Sequence, residues 1–329
     1  MILIVGGAGY IGSHVNKALN KKGYETIVFD NLIYGHKEFV KWGKFYMGDL
    51  KNRDDIERVF KENHIDAVMH FSAYTYVGES VKNPSKYYTN NLINTINLLD
   101  LMVKYNIKKF IFSSSCATYG VPLEIPITEA HPQNPVNPYG KTKFMVEKVL
   151  EDYDRAYGLN YVNLRYFNAA GADPDSEIGE WHNPETHLIP LAIYNAIGIN
   201  SNITVFGTDY KTDDGTCVRD YIHVNDLASA HVLALEYLMS EKRSNSFNLG
   251  NGNGFSVKKI LDVVESKSGK KLNIKYGPRR EGDPAVLVGS SKKAYEVLGW
   301  KPFYDRIDLI VETAYNWHKK QLEENIIKK

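Results

Sequence analysis

The fold is decided near the N-terminus by the stretch ILIVGGAGYIG, which runs from Ile2 to Gly12. Its four leading apolar residues predict a short buried strand, and the residues from Ser13 to Leu19 after it have helical spacing. Between strand and helix, Gly6, Gly9 and Gly12 allow a tight turn and a close approach of backbone to a pyrophosphate at the helix N-terminus. The stretch therefore predicts a dinucleotide-binding turn.

A carboxylate follows the second predicted strand. The predicted strand from Glu25 to Phe29 ends in Asp30, eighteen residues after Gly12. At that distance a carboxylate can accept hydrogen bonds from the hydroxyls of an adenosine ribose and would repel a 2′-phosphate, which favours NAD over NADP. The alternative for Asp30 is a turn cap within Asp30-Asn31-Leu32.

A tyrosine and a lysine stand one helical turn apart further along the chain. Asn137-Pro138 predicts a helix start, which places Tyr139 and Lys143 on one helix face. A phenol normally titrates near pH ~10, and a neighbouring ammonium favours the phenolate, so the pair could supply a base. An isolated pair of this kind is more often packing, and its significance here depends on the other motifs.

Three serines give this pair its context. Ser113, Ser114 and Ser115 follow the predicted strand Phe110-Ile111-Phe112, at the edge where a nicotinamide ring would rest if the pyrophosphate lies at Gly9. A hydroxyl there can bind the substrate oxygen that gains or loses a proton. The alternative is that the serines form a turn after the strand.

Composition excludes several classes of function. Lys plus Arg number 40 and Asp plus Glu 39, a net charge of +1, so neither nucleic acid nor a membrane surface is an implied partner. The two cysteines, Cys116 and Cys217, have no metal-type spacing, and we expect no metal. Few cysteines suit a reducing compartment, and no apolar run approaches the ~18 residues of a membrane span, so we expect the cytoplasm.

Strands and helices alternate through the first half of the chain, which predicts a Rossmann-type, doubly wound parallel sheet with helices on both faces. After Asn168 the loops lengthen. We therefore predict a cofactor domain at 1–168 and a smaller α/β substrate-binding domain at 169–329, with a strand near 246–250 returning to the first sheet. Long helical patterns run from Pro84 to Tyr105 and from Pro138 to Tyr157.

The glycine turn, the serines and Tyr139-x-x-x-Lys143 resemble the extended short-chain dehydrogenase/reductases. Further motifs are similar to the UDP-galactose (UDP-glucose) 4-epimerase branch of that superfamily, and the resemblance covers residues 2 to about 318. These motifs are Val77-Gly78-Glu79-Ser80, Asn137-Pro138-Tyr139-Gly140, Arg165-Tyr166-Phe167-Asn168, the run from Gly215 to Val224, and Arg279-Arg280-Glu281-Gly282-Asp283.

The resemblance implies a UDP-hexose substrate and a tightly bound NAD that takes a hydride from sugar C4 and returns it to the opposite face of a 4-keto sugar. Tyr139 would be the acid/base, Lys143 would lower its pKa and hold the nicotinamide ribose, and Ser115 would bind the sugar oxygen. The implied cofactor contacts are Gly6, Gly9, Tyr10, Ile11, Gly12, Asp30, Asn31, Asp49, Leu50, Phe71, Asn90, Ser113, Tyr139, Lys143 and Phe167. The implied substrate contacts are Ser115, Tyr139, Asn168, His187, Leu188, Arg219, Arg280, Asp283 and Leu287.

A ketone that must rotate needs a rigid anchor at its nucleotide end. Arg219 and Arg280 suit that anchor because guanidinium groups pair bidentately with phosphate oxygens. Asp283 would then bind the uridine ribose. The alternative for each arginine is a salt bridge, to Asp220 or to Glu281.

Three positions depart from the pattern of many relatives. Thr75 stands where lysine is common, which removes or replaces one cofactor contact, and His187 stands where asparagine is common. Leu287 stands where some relatives carry a bulky tyrosine. A leucine there leaves room for an N-acetyl group, which predicts UDP-GlcNAc as a second substrate. The equally weighted alternative is that Leu287 is a core residue without a role in sugar choice.

A dinucleotide-binding fold is also compatible with three other functions. A dehydratase needs an acidic pair where Cys116-Ala117-Thr118 stands, which argues against elimination. Epimerisation of UDP-xylose or a UDP-uronic acid uses the same residues and stays open. A non-catalytic NAD sensor would have no reason to combine Ser115, Tyr139 and Lys143. Relatives are commonly homodimers, which the two long helices could form.

Overall fold

The computed structural model describes residues 1–280 and 283–327. In chain order its elements are β1 (Ile2–Val5), α1 (Tyr10–Lys21), β2 (Thr26–Asp30), β3 (Lys44–Met47), α2 (Arg53–Glu62), β4 (Ala67–His70), α3 (Val77–Lys82), α4 (Pro84–Tyr87), α5 (Asn94–Lys104), β5 (Lys109–Ser115), α6 (Pro138–Tyr157), β6 (Asn160–Tyr166), β7 (Asn168–Ala170), α7 (Leu188–Ala196), β8 (Ile203–Phe206), β9 (Val218–His223), α8 (Val224–Ser240), β10 (Asn245–Leu249), β11 (Gly254–Ser256), α9 (Val257–Ser268), β12 (Ile274–Gly277), β13 (Val286–Leu287), α10 (Lys292–Leu298) and α11 (Ile307–Glu323).

A seven-stranded sheet organises the molecule, in the order β10-β6-β5-β4-β1-β2-β3. Every neighbouring pair in it is parallel. The chain winds outward in one direction from β1 to β3 and in the other from β4 onward. Ligands of such sheets bind at the carboxyl ends of the strands where the winding reverses, here between β1 and β4. The predicted Rossmann-type α/β fold is confirmed.

Each face of the sheet is covered by helices, as the mostly apolar strands require. On one face Ile2 and Ile4 of β1 pack with Val15 of α1 and with Leu227 and Leu235 of α8. The opposite face buries Leu3 and Phe110 against α2, α5 and α6. The alternation of side chains along β1 thus divides one short strand between two cores.

The later part of the chain builds a smaller α/β unit beside the strand ends. Strand β9 pairs with β7, β11 and β13, while β8 pairs with β12. Helices α7, α9 and α11 share one apolar cluster with these strands. Strand β10 leaves this region and pairs in parallel with β6 at the edge of the large sheet. The domain limits at residues 168 and 169 stay a prediction.

Two predicted elements differ in detail. The helix expected from Pro84 to Tyr105 is interrupted by a π-helical turn at Tyr88–Ile93. There the Asn91 amide oxygen accepts from the Tyr74 backbone N–H at 2.8 Å, and its nitrogen donates to the Tyr74 carbonyl at 2.9 Å and to the Thr142 hydroxyl at 3.2 Å. This side chain ties the helix to the loop after β4 and to α6, and such turns often mark functional sites.

The three serines belong to a strand and not to a turn. Strand β5 continues to Ser115 because its pairing with β6 runs on to Ser115 opposite Tyr166. Only at its last residue does the chain turn, where the Ser115 hydroxyl accepts from the Ala117 backbone N–H at 3.1 Å.

No helix within the described ranges is both long and apolar enough to cross a membrane.

We expect Gly12→Ala to lower the free energy of unfolding by about 1–3 kcal/mol, the usual cost of overpacking. A Cβ on Gly12 would collide with the Gly6 carbonyl oxygen and lie 2.9 Å from the Gly7 Cα, so α1 must move away from the turn. The matched control is Gly9→Ala, whose Cβ would lie 3.4 Å from the nearest atom outside its own neighbours. Urea unfolding of both variants measures the difference, and equal stability of the two would contradict the argument.

Candidate active site

The glycine turn leaves no space for side chains where a pyrophosphate would approach. Gly6 has φ +80°, and a Cβ on it would lie 2.6 Å from the Ser72 backbone nitrogen. Gly9 precedes α1 with extended backbone, so the first amides of α1 point toward the turn. This backbone fits a dinucleotide phosphate.

Asp30 ends β2, and its side chain also caps the turn that follows, as the alternative interpretation predicts. Its Oδ2 accepts from the Ala8 backbone N–H at 3.0 Å, and its Oδ1 accepts from the Leu32 N–H at 2.9 Å. Burial raises the pKa of this carboxyl, and the backbone hydrogen bonds oppose that rise. Each oxygen keeps a second lone pair, so the carboxylate can hold the glycine turn and still accept from ribose hydroxyls.

A pocket next to Asp30 collects most of the predicted adenosine-side contacts. It is lined by Val5, Gly6, Phe29, Asp30, Asn31, Gly48, Asp49, Leu50, Ser72 and Asn90. Asn31 and Asp49 are already joined, since the Asn31 amide donates to Asp49 Oδ2 at 3.1 Å. Asn90 reaches this pocket from the π-helical turn. Six predicted cofactor contacts, Gly6, Asp30, Asn31, Asp49, Leu50 and Asn90, thus line one cleft.

The other predicted cofactor contacts continue along the strand ends. The Phe71 backbone N–H donates to the Val5 carbonyl at 2.8 Å, directly beyond β4. The Tyr10 hydroxyl donates to the Gly171 carbonyl at 2.6 Å, and Ile11 packs on the core under the sheet. Phe167, which follows β6, is buried with Cys116 and Tyr119.

The catalytic candidates meet where α6 begins beside the end of β5. The Asn137 side chain caps α6 by accepting from the Gly140 backbone N–H at 2.9 Å, and Tyr139 and Lys143 point from its first two turns into the protein. Ser115, Tyr139 and Lys143 are all buried. The Lys143 ammonium donates to the Ser113 carbonyl oxygen at 2.7 Å and lies 4.8 Å from the Phe112 ring centroid.

Burial shifts both members of the pair toward their neutral forms. It lowers the pKa of Lys143 to about 7, with Glu147 opposing the shift. It raises the pKa of Tyr139 well above its ordinary value; nearby Tyr166 adds to the rise and the Ser115 side chain opposes it. Without ligands the Lys143 ammonium is turned to the Ser113 carbonyl, and burial is the largest influence on the Tyr139 pKa. The lowering of that pKa by Lys143 stays a prediction.

The sequence did not reveal the ion pair beneath the serines. Glu147, one turn after Lys143, accepts from Arg165 in bidentate fashion, with Nε to Oε1 at 3.0 Å and Nη2 to Oε2 at 2.6 Å. The Ser114 hydroxyl donates to the same carboxylate at 2.5 Å. Ser114 is thus structural, and the Ser113 hydroxyl is hydrogen-bonded to the Tyr166 phenol. The i+4 spacing of Lys143 and Glu147, which places both on the buried face of α6, was the one signal in the sequence that could have pointed to Glu147.

The substrate-side candidates lie on the strands around β9. The Arg219 guanidinium pairs with the Asp283 carboxylate, so two predicted substrate contacts meet and the alternative partner Asp220 is wrong. Asp220 is fully buried and accepts from backbone N–H groups, including Asn251 at 2.8 Å. The Asn168 amide donates to the Asp220 carbonyl at 2.9 Å.

Two further candidates flank this pair. Leu287 lies opposite Arg219 in the β13–β9 register and packs against the cluster of Cys116, Tyr119, Ile127 and Phe167. The Arg280 guanidinium lies 4.3 Å from the Phe206 ring centroid. Its alternative partner, Glu281, lies outside the described residues.

His187 and Leu188 mark the start of α7. Leu188 is the first helical residue and His187 precedes it without capping the helix by its side chain. The His187 ring turns its Nδ1 toward Glu180 and Glu185, at 2.8 and 2.9 Å, and about half of the side chain is exposed. Only its other nitrogen remains for the predicted contact with a phosphate.

Residues 2–250 match the model of the NAD dependent epimerase/dehydratase family. The chain belongs to this family. A UDP-glucose 4-epimerase of Rhizobium meliloti (strain 1021) is 52% identical over 320 residues, which cover 97% of each chain. The resemblance predicted from the motifs is thereby confirmed, and NAD is the family's cofactor.

Two solved structures show the same architecture in relatives. A UDP-glucose 4-epimerase from Brucella ovis in complex with NAD is 48% identical, covers 96% of this chain and 97% of its own, and superposes with a TM-score of 0.94. One from Bifidobacterium longum in complex with NAD⁺ and UDP is 40% identical, covers 97% and 98%, and gives a TM-score of 0.92.

The lowered pKa of the buried Lys143 predicts a pH dependence of stability. An unfolded lysine keeps its extra proton to about pH 10, whereas the folded protein loses it near pH 7. The unfolded chain therefore binds more protons between these values, and wild-type stability rises with pH there. Lys143→Met lacks this titrating group and therefore this rise. We expect the free energy of unfolding of Lys143→Met minus that of wild type to fall by up to about 1.4 kcal/mol per pH unit between pH 7 and 9.

Urea unfolding at several pH values measures this difference. Lys148→Met is the control, because Lys148 lies on the same helix with its side chain half exposed. Parallel pH profiles for wild type and Lys143→Met would show that the ammonium is not destabilised by burial.

Proposed function

We propose that this chain is an NAD-dependent 4-epimerase that interconverts UDP-glucose and UDP-galactose. The observation that carries the proposal is the meeting of two sets of residues. Ser115 and Tyr139 lie at the sheet edge, and Arg219 of β9 pairs with Asp283 in the segment before β13. Leu287 connects the sets, since it is opposite Arg219 in register and packs beside Cys116.

Tyr139, Ser115 and the bound cofactor each have a separate role in the reaction at sugar C4. When bound, NAD⁺ supplies the acceptor for the C4 hydride, a positive charge that favours the Tyr139 phenolate, and in its reduced form the donor that returns the hydride. The phenolate accepts the proton of the 4-hydroxyl as the carbon–oxygen bond becomes a carbonyl. Ser115 donates a hydrogen bond to that oxygen. The proton goes back from Tyr139 when the opposite face of the ketone is reduced, so no net oxidation results.

The buried pair suits reversible proton transfer. Without ligand the phenol, with its raised pKa, is neutral, and the lysine, with a pKa of about 7, is half protonated near neutral pH. A cation bound beside them would lower the phenol pKa toward the range in which a base works best. Lys143 would then move from the Ser113 carbonyl toward a ribose hydroxyl of the cofactor.

The nucleotide end of the substrate requires firm attachment while the sugar turns. Arg219 and Arg280 would bind the two phosphates, Asp283 the uridine ribose, and Asn168 a phosphate or sugar oxygen. His187 and Leu188 would contact the same region from the start of α7. A diphosphate that enters this site replaces the Asp283 carboxylate as the partner of Arg219, so one anion is exchanged for another.

The proposal also includes a homodimer and a cytoplasmic location. A homodimer through this region is supported by the exposed apolar side chains of Ile93, in the π-helical turn before α5, and of Met145 on α6. A reducing, cytoplasmic environment is supported by Cys116 and Cys217, which are both buried and unpaired.

Tyr139→Phe should lower kcat for UDP-galactose by about 10²–10⁴-fold, the usual contribution of a general acid/base. A coupled assay of UDP-glucose formation measures the rate, and the NAD released on denaturation should match wild type. Tyr153→Phe is the control, since this tyrosine lies on the same helix and its hydroxyl donates to Asp100. An unchanged rate in Tyr139→Phe would remove Tyr139 from the mechanism as the base, whereas a wild-type protein that binds NAD and has no epimerase rate would be the sensor.

Leu287→Tyr tests the breadth of sugar choice. We expect the wild type to epimerise UDP-GlcNAc as well as UDP-glucose, because leucine leaves space for the acetyl group. The variant should lose at least about tenfold in kcat/KM for the acetylated sugar and keep most of its activity on UDP-glucose. Absence of wild-type turnover of UDP-GlcNAc would reject the wider specificity and leave the proposed epimerase activity intact.

A further inference from the structure

A cluster of two glutamates and two histidines lies in the loop between β7 and α7. We call Glu180, His182, Glu185 and His187 the Glu/His cluster; its pattern is E-x-H-x-x-E-x-H. One potential metal-binding atom from each of the four side chains lies within 4.8 Å of all the others. The spacing of the two cysteines predicts no metal, and it carries no information on these histidines and glutamates.

The distances within the Glu/His cluster match those between ligands of one small cation. Glu180 Oε1 lies 3.2 Å from His182 Nδ1 and 2.8 Å from His187 Nδ1. Of the two Glu185 oxygens, Oε1 lies 2.9 Å from His187 Nδ1 and Oε2 lies 3.6 Å from His182 Nδ1. Four ligands at about 2.0–2.1 Å from a tetrahedral Zn²⁺ lie roughly 3.3 Å from one another.

Two atoms of the Glu/His cluster are buried without a hydrogen-bond partner. They are His182 Nδ1 and Glu185 Oε2. The other Glu185 oxygen accepts from the backbone N–H groups of Thr186 and His187, at 2.7 and 2.8 Å, which fixes the carboxylate. The Glu185 side chain is only 4% exposed. His182 Nδ1 lies 3.2 Å from Glu180 Oε1 and 3.6 Å from Glu185 Oε2 without a hydrogen bond to either. Buried polar atoms are nearly always paired, and a cation between these side chains would pair both atoms.

A nearby acidic group shows how the same chain satisfies such atoms without a metal. Asp173, Asp175 and Glu177 also converge, but the Lys17 ammonium stands among them. It lies 2.8 Å from Asp173 and 2.5 Å from Glu177. The described contacts give the Glu/His cluster no lysine or arginine.

We propose that the Glu/His cluster binds one divalent transition-metal ion of the Zn²⁺ type. Two imidazoles suit such an ion, whereas Ca²⁺ and Mg²⁺ prefer oxygen ligands alone. All four positions of a tetrahedron are supplied by the protein, which is the pattern of structural sites and leaves no position for substrate. The inference does not depend on the proposed epimerase reaction.

The position of the loop indicates what the ion would stabilise. The Trp181 ring stacks on His36 at 3.8 Å, and the Tyr76 hydroxyl donates to the Pro184 carbonyl at 2.8 Å. From the other side the Trp317 indole N–H donates to the Glu180 carbonyl at 2.9 Å. The loop is thus held between the N-terminal sheet region and α11, and His182 makes an edge contact with the Tyr10 ring. A metal would fix this loop beside the glycine turn.

Metal analysis of the purified full-length protein tests the inference. After incubation with ZnCl₂ and desalting, we expect about one zinc per chain by mass spectrometry, and at least a tenfold lower content in His182→Gln and Glu185→Gln. Glu177→Gln is the matched control, since it alters the acidic group that Lys17 neutralises, and it should keep its zinc. Chelation should lower the Tm of wild type and control but not of the two cluster variants.

Cobalt spectroscopy keeps the test decisive if a variant fails to fold. Wild-type protein loaded with Co²⁺ should show the visible absorption bands of a tetrahedral ion, and Zn²⁺ should remove them by competition. Wild-type protein that retains no stoichiometric zinc and shows no such bands would overturn the proposal, as would equal zinc contents in wild type and both cluster variants.

Discussion

The buried ion pair between Glu147 and Arg165 is the interaction on which the active-site geometry depends. Glu147 lies on α6 one turn after Lys143, and Arg165 lies on β6 directly opposite Ser114. The pair therefore joins the helix that carries Tyr139 to β6, and Ser114 of the neighbouring β5 donates to the same carboxylate. Both charges are nearly inaccessible to water, so loss of either partner would leave the other unpaired at a cost of about 3–5 kcal/mol.

The same pair extends into a network that reaches the edge of the sheet. The Arg165 guanidinium donates to the Tyr119 hydroxyl at 2.9 Å, and that hydroxyl donates to the Asn248 side chain of β10 at 2.7 Å. Asn248 in turn donates to the Ile127 carbonyl at 3.0 Å. A strand from the far end of the sequence is thereby tied to the catalytic helix. This explains why β10 crosses back to the large sheet, since its polar side chain completes a network that would otherwise be buried unsatisfied.

The sequence correctly predicted the features that depend only on residues close together in the chain. The glycine turn, the cap of α6 at Asn137 and the helical spacing of Tyr139 and Lys143 each depend on neighbours within a few residues, and the structure has them as expected. The direction of the Tyr139 pKa shift and the Arg219–Asp283 pair were not predictable, because they depend on burial and on partners far apart in the chain. The Glu/His cluster is an intermediate case. Its residues are close in sequence, but only the folded loop turns the four side chains toward one point.

The two sides of the active site are prepared for ligand in different ways. At the cofactor side the glycine turn is fixed by steric exclusion and by the hydrogen bond that the Ala8 N–H donates to Asp30, so little rearrangement is needed on binding. At the substrate side Arg219 is already paired with Asp283, and a diphosphate must compete with that carboxylate. The competition weakens the attachment of any single phosphate, yet it frees Asp283 to accept from a ribose hydroxyl at the same moment. Binding energy is therefore gained when phosphate and ribose arrive together, which favours a whole nucleotide over free phosphate and leaves the sugar end without a charged anchor.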